Sequence, residues 1–382
     1  MIQGVNSVPA FDIKQQYLTI ESKISRAVLE VLSSGRYIGG PGVEGFEKQF
    51  AAYHGVNECV ACNSGTDALY LSLRALDIGV GDEVITTSFS FFATTEVISA
   101  VGAIPVFVDI DPTTFNLDVS KISAAITKKT KAIMPVHLFG LPVDMTALME
   151  IAHSHNLAVI EDCAQATGAS WEGQKVGSIG NIGCFSFYPT KNLGGCGDGG
   201  AITTNDREIA DKIRLLKEHG SKTRYIHEEV GVNSRLDALQ AAILQIKLPY
   251  LDIWNEQRQK IATYYYQHLG QISGITPPQE LLGGIGVWNQ YTIRVSSQER
   301  NGASSKYRDW VRTALQERGV NTMVYYPVPL HLQPVYKCLG YECGKLPVSE
   351  AACDQVISLP MFPELTQEQQ DRVIYGLKDC LS

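Results

Sequence analysis

Apolar residues recur every three or four positions from residue 13 to 34 (Ile13, Tyr17, Ile20, Ile24, Val28, Leu32), which predicts a helix closed by Ser34-Gly35. A turn, Gly39-Gly-Pro-Gly42, precedes a second helix over about 43–54, ended by Gly55. Short apolar runs then alternate with helical spacing. Strands are expected at 59–62, 83–87, 104–108, 131–136, 158–160, 184–187 and 201–204, and helices at 67–76, 93–101 and 145–155. This α/β alternation predicts a mostly parallel central sheet with helices on both faces. Residues 235–258 read as a long helix broken or bent at Pro249. Beyond about 260 the pattern changes to a strand over 288–295, a helix over 306–319, a strand over 321–326, Pro-rich turns and a last helix near 365–381. We therefore expect a large unit, residues 1–255, and a smaller C-terminal α+β unit, residues 256–382.

Hydrophobic residues make up 45% and charged residues 19% of the 382 positions, the balance of a soluble globular protein. The net charge of −8 and the lack of any Lys/Arg run argue against a nucleic-acid or membrane-surface partner. No apolar stretch reaches the roughly 18 residues of a membrane span. Met1–Pro9 has neither a basic nor an apolar leader pattern, so no export signal is expected. The nine cysteines are odd in number and scattered, which suggests reduced thiols in a cytoplasmic protein. Cys59-x-x-Cys62 lacks a second pair or suitable histidines, so packing is the better reading and no metal is expected. His219, His227 and His331 also lack metal spacing.

The candidate chemistry lies at the ends of the expected strands, where parallel sheets bind ligands. Ser64-Gly-Thr66 joins a strand to a helix, whose free N–H groups and dipole favour a phosphate, although Ser64 could equally be a plain cap. Phe91, after the next strand, could stack on a flat cofactor or simply pack in the core. Asp162 ends Leu157-Ala-Val-Ile160-Glu-Asp162. A carboxylate placed there needs a partner, and a pyridinium N–H would serve. Gln165 could bond a phenolic oxygen of the same ring. Lys191, in Phe185-Ser-Phe-Tyr-Pro-Thr-Lys191-Asn-Leu-Gly194, would be a usable nucleophile if desolvated, and Ser186 could bind phosphate. The lysine precedes the glycines of Gly194–Gly200, which excludes a P-loop. Each motif has a structural alternative. Asn233 could cap the long helix, for example, and Asp162 could cap its loop. The order of phosphate turn, stacking aromatic, ring-nitrogen acid and Schiff-base lysine is what points to pyridoxal phosphate (PLP).

With those residues in view, the chain resembles the PLP-dependent nucleotide-sugar aminotransferases, the DegT/StrS family of aminotransferase fold type I. The likeness runs through Gly35-Arg-Tyr-Ile-Gly-Gly-Pro41, Asn63-Ser-Gly-Thr-Asp-Ala68, Pro135-Val-His-Leu-Phe-Gly140, Glu161-Asp-Cys-Ala-Gln165, Phe185–Gly194, Gly231-Val-Asn-Ser-Arg235 and Leu359-Pro-Met-Phe-Pro363. The resemblance implies that Lys191 forms the Schiff base and shuttles the proton, Asp162 binds the ring nitrogen, Gln165 the ring oxygen, Phe91 the ring face, and Gly65, Thr66 and Ser186 the phosphate. It also implies a homodimer in which Asn233 reaches the neighbouring site. Expected substrates are L-glutamate and a keto sugar on a nucleoside diphosphate (dTDP or UDP), with Arg235, Tyr326 and His331 as candidate substrate contacts. The wording Asn233-Ser-Arg-Leu-Asp237 is closer to 3-aminating members. Thr167 departs from the pattern, standing where many relatives carry His. Two alternatives are a related sugar dehydratase, which would carry His in place of Lys191, and a regulatory or binding protein that kept the fold without turnover.

Overall fold

The computed structural model describes residues 7–296 and 304–381, so most of Met1–Pro9, read as lacking a leader pattern, lies outside the described residues. The Val/Ile-rich segments form a seven-stranded sheet in the order Glu58–Cys62, Gly200–Thr204, Ile182–Ser186, Ala158–Asp162, Thr130–Met134, Glu83–Thr87, Ile104–Val108. Gly200–Thr204 is antiparallel to both its neighbours, and the other pairings are parallel. This is the α/β architecture of fold type I. Successive residues point to opposite faces, as a two-residue period requires. Val159 packs with Ile85, Ile133 and Leu148, whereas Ile160 packs with Leu69, Leu71 and Ile202. Cys59 and Cys62 likewise fall into different buried clusters, so the CxxC spacing serves packing.

An aromatic group closes one face behind the lysine loop. Phe50 meets Phe185 at 5.0 Å and Phe187 at 5.3 Å between centroids, both edge-on. Helix entry is set by short polar caps, with Asp12, Ser64, Asp144 and Asp206 each accepting first-turn N–H groups.

A second sheet of three strands runs Ile275–Thr276, Tyr291–Val295, Val356–Leu359. The division read at residue 255/256 falls inside a continuous helix, Leu251–Leu269, which follows Ala238–Lys247 and a tight 3-10 turn at Leu248–Tyr250 holding Pro249. Among the described residues no helix is long and apolar enough to cross a membrane.

Two expectations are corrected. Residues 321–326 are not a strand: only Met323 pairs, with Ser358. Pro327 brings no N–H to a ladder, and the Tyr326 hydroxyl accepts a hydrogen bond from Gln165. Asn233 does not cap the long helix, because Asp237 holds that position. Two helices went unread, Arg207–Lys217 and Pro347–Gln355, the second opening on a proline that suits a first turn.

Candidate active site

Four strand ends converge. Asp162 closes the central strand Ala158–Asp162, and Ser186 closes its neighbour Ile182–Ser186. Ser64-Gly65 follows Glu58–Cys62, and Ser88–Thr94 follows Glu83–Thr87.

Asp162 is 4% exposed. Its Oδ1 accepts the Ala164 N–H at 3.1 Å and its Oδ2 the Thr94 hydroxyl at 2.9 Å. Burial still holds its carboxyl above the usual carboxylate range, although these two donors and the Lys191 charge pull the other way. A partner with a positive N–H would restore the balance.

Lys191 is half-buried, and desolvation lowers its ammonium to about 8 against the opposing pull of Asp162. At pH 7 such an amine is roughly one-tenth neutral, against about one part in 2,500 for a free lysine side chain near 10.4. Among the described residues the two groups make no ion pair within 4.0 Å, although each feels the other's charge. An amine made nucleophilic by desolvation, facing a buried carboxylate that lacks a cation, fits an aldehyde-bearing pyridine between them.

Gln165 is oriented from behind. Its Oε1 accepts the Phe139 N–H at 2.7 Å, which leaves its amide hydrogens to donate, one of them to the Tyr326 hydroxyl at 3.1 Å. Phe91 is 59% exposed rather than packed in the core, with its ring 6.4 Å from that of Tyr326. The anion cradle is tight. A Cβ on Gly65 would sit 2.7 Å from the Ser186 Cβ, so only glycine lets the helix start approach that hydroxyl. Gly65 and Thr66 lie in the first turn of Gly65–Ala75, where N–H groups lack helix partners. The residues present thus fit a phosphorylated, protonated pyridine.

The remaining candidates are placed differently. Asn233 is exposed, beside Ser234, whose Oγ takes the Asn63 N–H at 3.4 Å. Arg235 pairs with Glu218 at 3.4 Å and its Nε is buried without a partner. His331 is 1% exposed, bonded to Glu350 and packed on Phe107 and Tyr341, so its contacts are not with Asp162, Gln165 or Lys191. Thr167 is buried, and its carbonyl accepts from Asn255.

Residues unread in the sequence support the site. Glu161 accepts His137, Gly177, Ile179 and Gly180 N–H groups at 2.7–3.0 Å, and His137 accepts the Val143 N–H on its other nitrogen. His137, Glu161 and Cys163 are close enough together to suggest a metal site. Those bonds already fill the carboxylate and both imidazole nitrogens, so the group works as an anchor for the Asp162 strand. Asn192, next to Lys191, donates to Asn255 at 2.7 Å and to the Val287 carbonyl at 2.9 Å, pinning the lysine loop.

Comparison with known proteins agrees with this chemistry. The model of the DegT/DnrJ/EryC1/StrS aminotransferase family matches residues 18–378. A pleiotropic regulatory protein of Geobacillus stearothermophilus is 49% identical over 370 residues, covering 96% of this chain and 97% of that protein. UDP-2-acetamido-2-deoxy-3-oxo-D-glucuronate aminotransferase of Pseudomonas aeruginosa is 46% identical over 357 residues, covering 93% and 95%. The crystal structure of S. venezuelae DesV in complex with a ketimine intermediate superposes with a TM-score of 0.93 at 43% identity, covering 98% of each chain.

Proposed function

The chain belongs to the DegT/DnrJ/EryC1/StrS aminotransferase family and is a PLP-dependent sugar-nucleotide aminotransferase; from that premise we propose that it moves an amino group from L-glutamate to carbon 3 of a keto hexose carried on dTDP or UDP. The observation that carries the catalytic reading is the desolvated Lys191 amine opposite the buried, cation-free Asp162 carboxylate.

Bound PLP supplies an aldehyde that condenses with amines and a ring that accepts the electron pair released at the substrate carbon. Asp162 keeps a proton on the ring nitrogen. Lys191 would bind the aldehyde carbon through its amine and would carry the proton to and from the substrate carbon. Gly65, Thr66 and Ser186 hold the phosphate, Gln165 donates to the ring oxygen, and Phe91 covers the ring face. Arg235 and Tyr326 remain candidate substrate contacts, and we place catalysis in the cytoplasm. Residues 1–255 would hold the cofactor, with 256–382 shaping the sugar pocket.

The test is a panel of dTDP- and UDP-linked 3-keto and 4-keto hexoses with L-glutamate, following 2-oxoglutarate release. We expect turnover with a 3-keto member. Turnover confined to 4-keto members would overturn the regiochemistry, and release from none would favour a binding protein without turnover.

We also propose that the active unit is a homodimer in which Asn233 of one protomer completes the other's phosphate site. Its exposed side chain, beside the Asn63–Ser234 contact, supports this reading. Inactive Lys191→Ala and impaired Asn233→Ala proteins should complement when their subunits are mixed. Random exchange gives heterodimers with one intact site, and so up to about one quarter of wild-type activity. If Asn233 acts within its own protomer, mixing restores nothing.

A further inference from the structure

The segment that runs from Glu83–Thr87 into the first turn of Ala93–Ala100 places two buried hydroxyls on either side of an exposed ring. Ser90 is 3% and Thr94 1% exposed, while Phe91, between them, is 59% exposed. Thr94 Oγ1 donates to Asp162 Oδ2 at 2.9 Å and contacts Ser90 Oγ at 2.8 Å. A threonine hydroxyl has one hydrogen, and here the carboxylate takes it. Ser90 is therefore the donor to Thr94, and the relay runs Ser90 to Thr94 to Asp162. Ala164 N–H holds the other carboxylate oxygen at 3.1 Å. With one oxygen tethered from each side, the carboxylate cannot rotate about its Cβ–Cγ bond without breaking a buried hydrogen bond.

We propose that Ser90 and Thr94 are positioning residues that fix the Asp162 carboxylate toward the cofactor's ring nitrogen and, through the same loop, dock Phe91 over the ring face. The proposal rests on the assignment of Asp162 to the ring nitrogen. Of the three buried hydroxyls in Ser88-Phe-Ser-Phe-Phe-Ala-Thr94, Ser88 bonds Ser349, and the proposal accounts for the other two. It also joins two contacts that arise from different strands. One hydroxyl chain sets both the edge partner and the face partner of a single flat ligand. The cost of losing it falls on a charged acceptor, whose hydrogen bonds are stronger than neutral ones.

Thr94→Val keeps the side-chain shape and removes only the hydroxyl. With the PLP-loaded enzyme, kcat should fall about tenfold while KM for the keto-sugar nucleotide stays within about twofold. The dissociation constant for PLP should rise about tenfold, and the visible absorption maximum of the bound cofactor should move. Thr94→Ser should restore all three to within about twofold of wild type. Ser90→Ala, which keeps the Thr94–Asp162 bond but removes its support, should give about a twofold to threefold loss and covers the case in which Thr94→Val fails to fold. Wild-type values of kcat, PLP affinity and absorption in Thr94→Val would overturn the positioning role while leaving Asp162 in place. A wild-type protein that binds no PLP would overturn the underlying assignment, and the proposal with it.

Discussion

Replacing Lys191 by alanine should lower kcat for amino transfer by at least about four orders of magnitude, because one side chain holds the cofactor and moves the proton. The expectation follows from its setting. Burial shifts the ammonium to about 8, so a neutral amine is available near physiological pH, and Asp162 opposes that shift without neutralising the charge in an ion pair. The loop that carries Lys191 is held from three sides. Asn192 is tied to Asn255 and Val287, Asn289 bonds the Thr190 carbonyl, and Lys247 bonds the Gly194 carbonyl. Alanine removes the amine and leaves this frame intact, so the folded structure should survive. The decisive measurement is borohydride reduction of the PLP-treated protein followed by peptide mass spectrometry. The wild type should carry the cofactor mass on the peptide containing Lys191, and the variant should carry none. A variant labelled elsewhere to the same extent, or still turning over at the normal rate, would refute the assignment.

The second large effect is expected at Asp162. Asp162→Asn keeps the size and removes the charge that would stabilise a protonated ring nitrogen. A loss of about a hundredfold to a thousandfold in kcat corresponds to two or three units of lost differential stabilisation. The amide also disturbs its own surroundings. Aspartate accepts from both Thr94 and Ala164, one on each oxygen. Asparagine offers one oxygen and an NH₂ that cannot accept, so one buried donor loses its partner. Stability should therefore fall modestly alongside activity, which chemical unfolding would register. A variant within tenfold of wild-type kcat would mean that another group supplies the ring's positive charge.

Much of this was legible along the chain because the relevant signals are local. The parallel layers announce themselves through short Val/Ile runs alternating with helices, some closed by glycine, and Asp162 and Lys191 stand out as charged residues attached to apolar segments. What could not be read depends on strand order. Thr94 reaches Asp162 across 68 positions because their two strands are separated by only one other in the sheet. His137 meets Glu161 across 24 positions for a similar reason. The helix Arg207–Lys217 escaped notice because charges separate its few buried residues, Ala210, Ile213, Leu215 and Leu216. The stretch 321–326 has residue types that suit a strand, but it finds a ladder partner only at Met323, and Pro327 offers no N–H to extend it.

The single reversed strand, Gly200–Thr204, acts as a spacer gauge. Gly200 pairs with Cys62 on one side and Ser186 on the other, so it separates the two halves of the anion cradle by its own backbone width. A Cβ there would lie 2.3 Å from the Ser64 carbonyl oxygen. Any side chain would wedge the halves apart. The proposed phosphate site is thus spaced by one residue that never needs to touch the ligand.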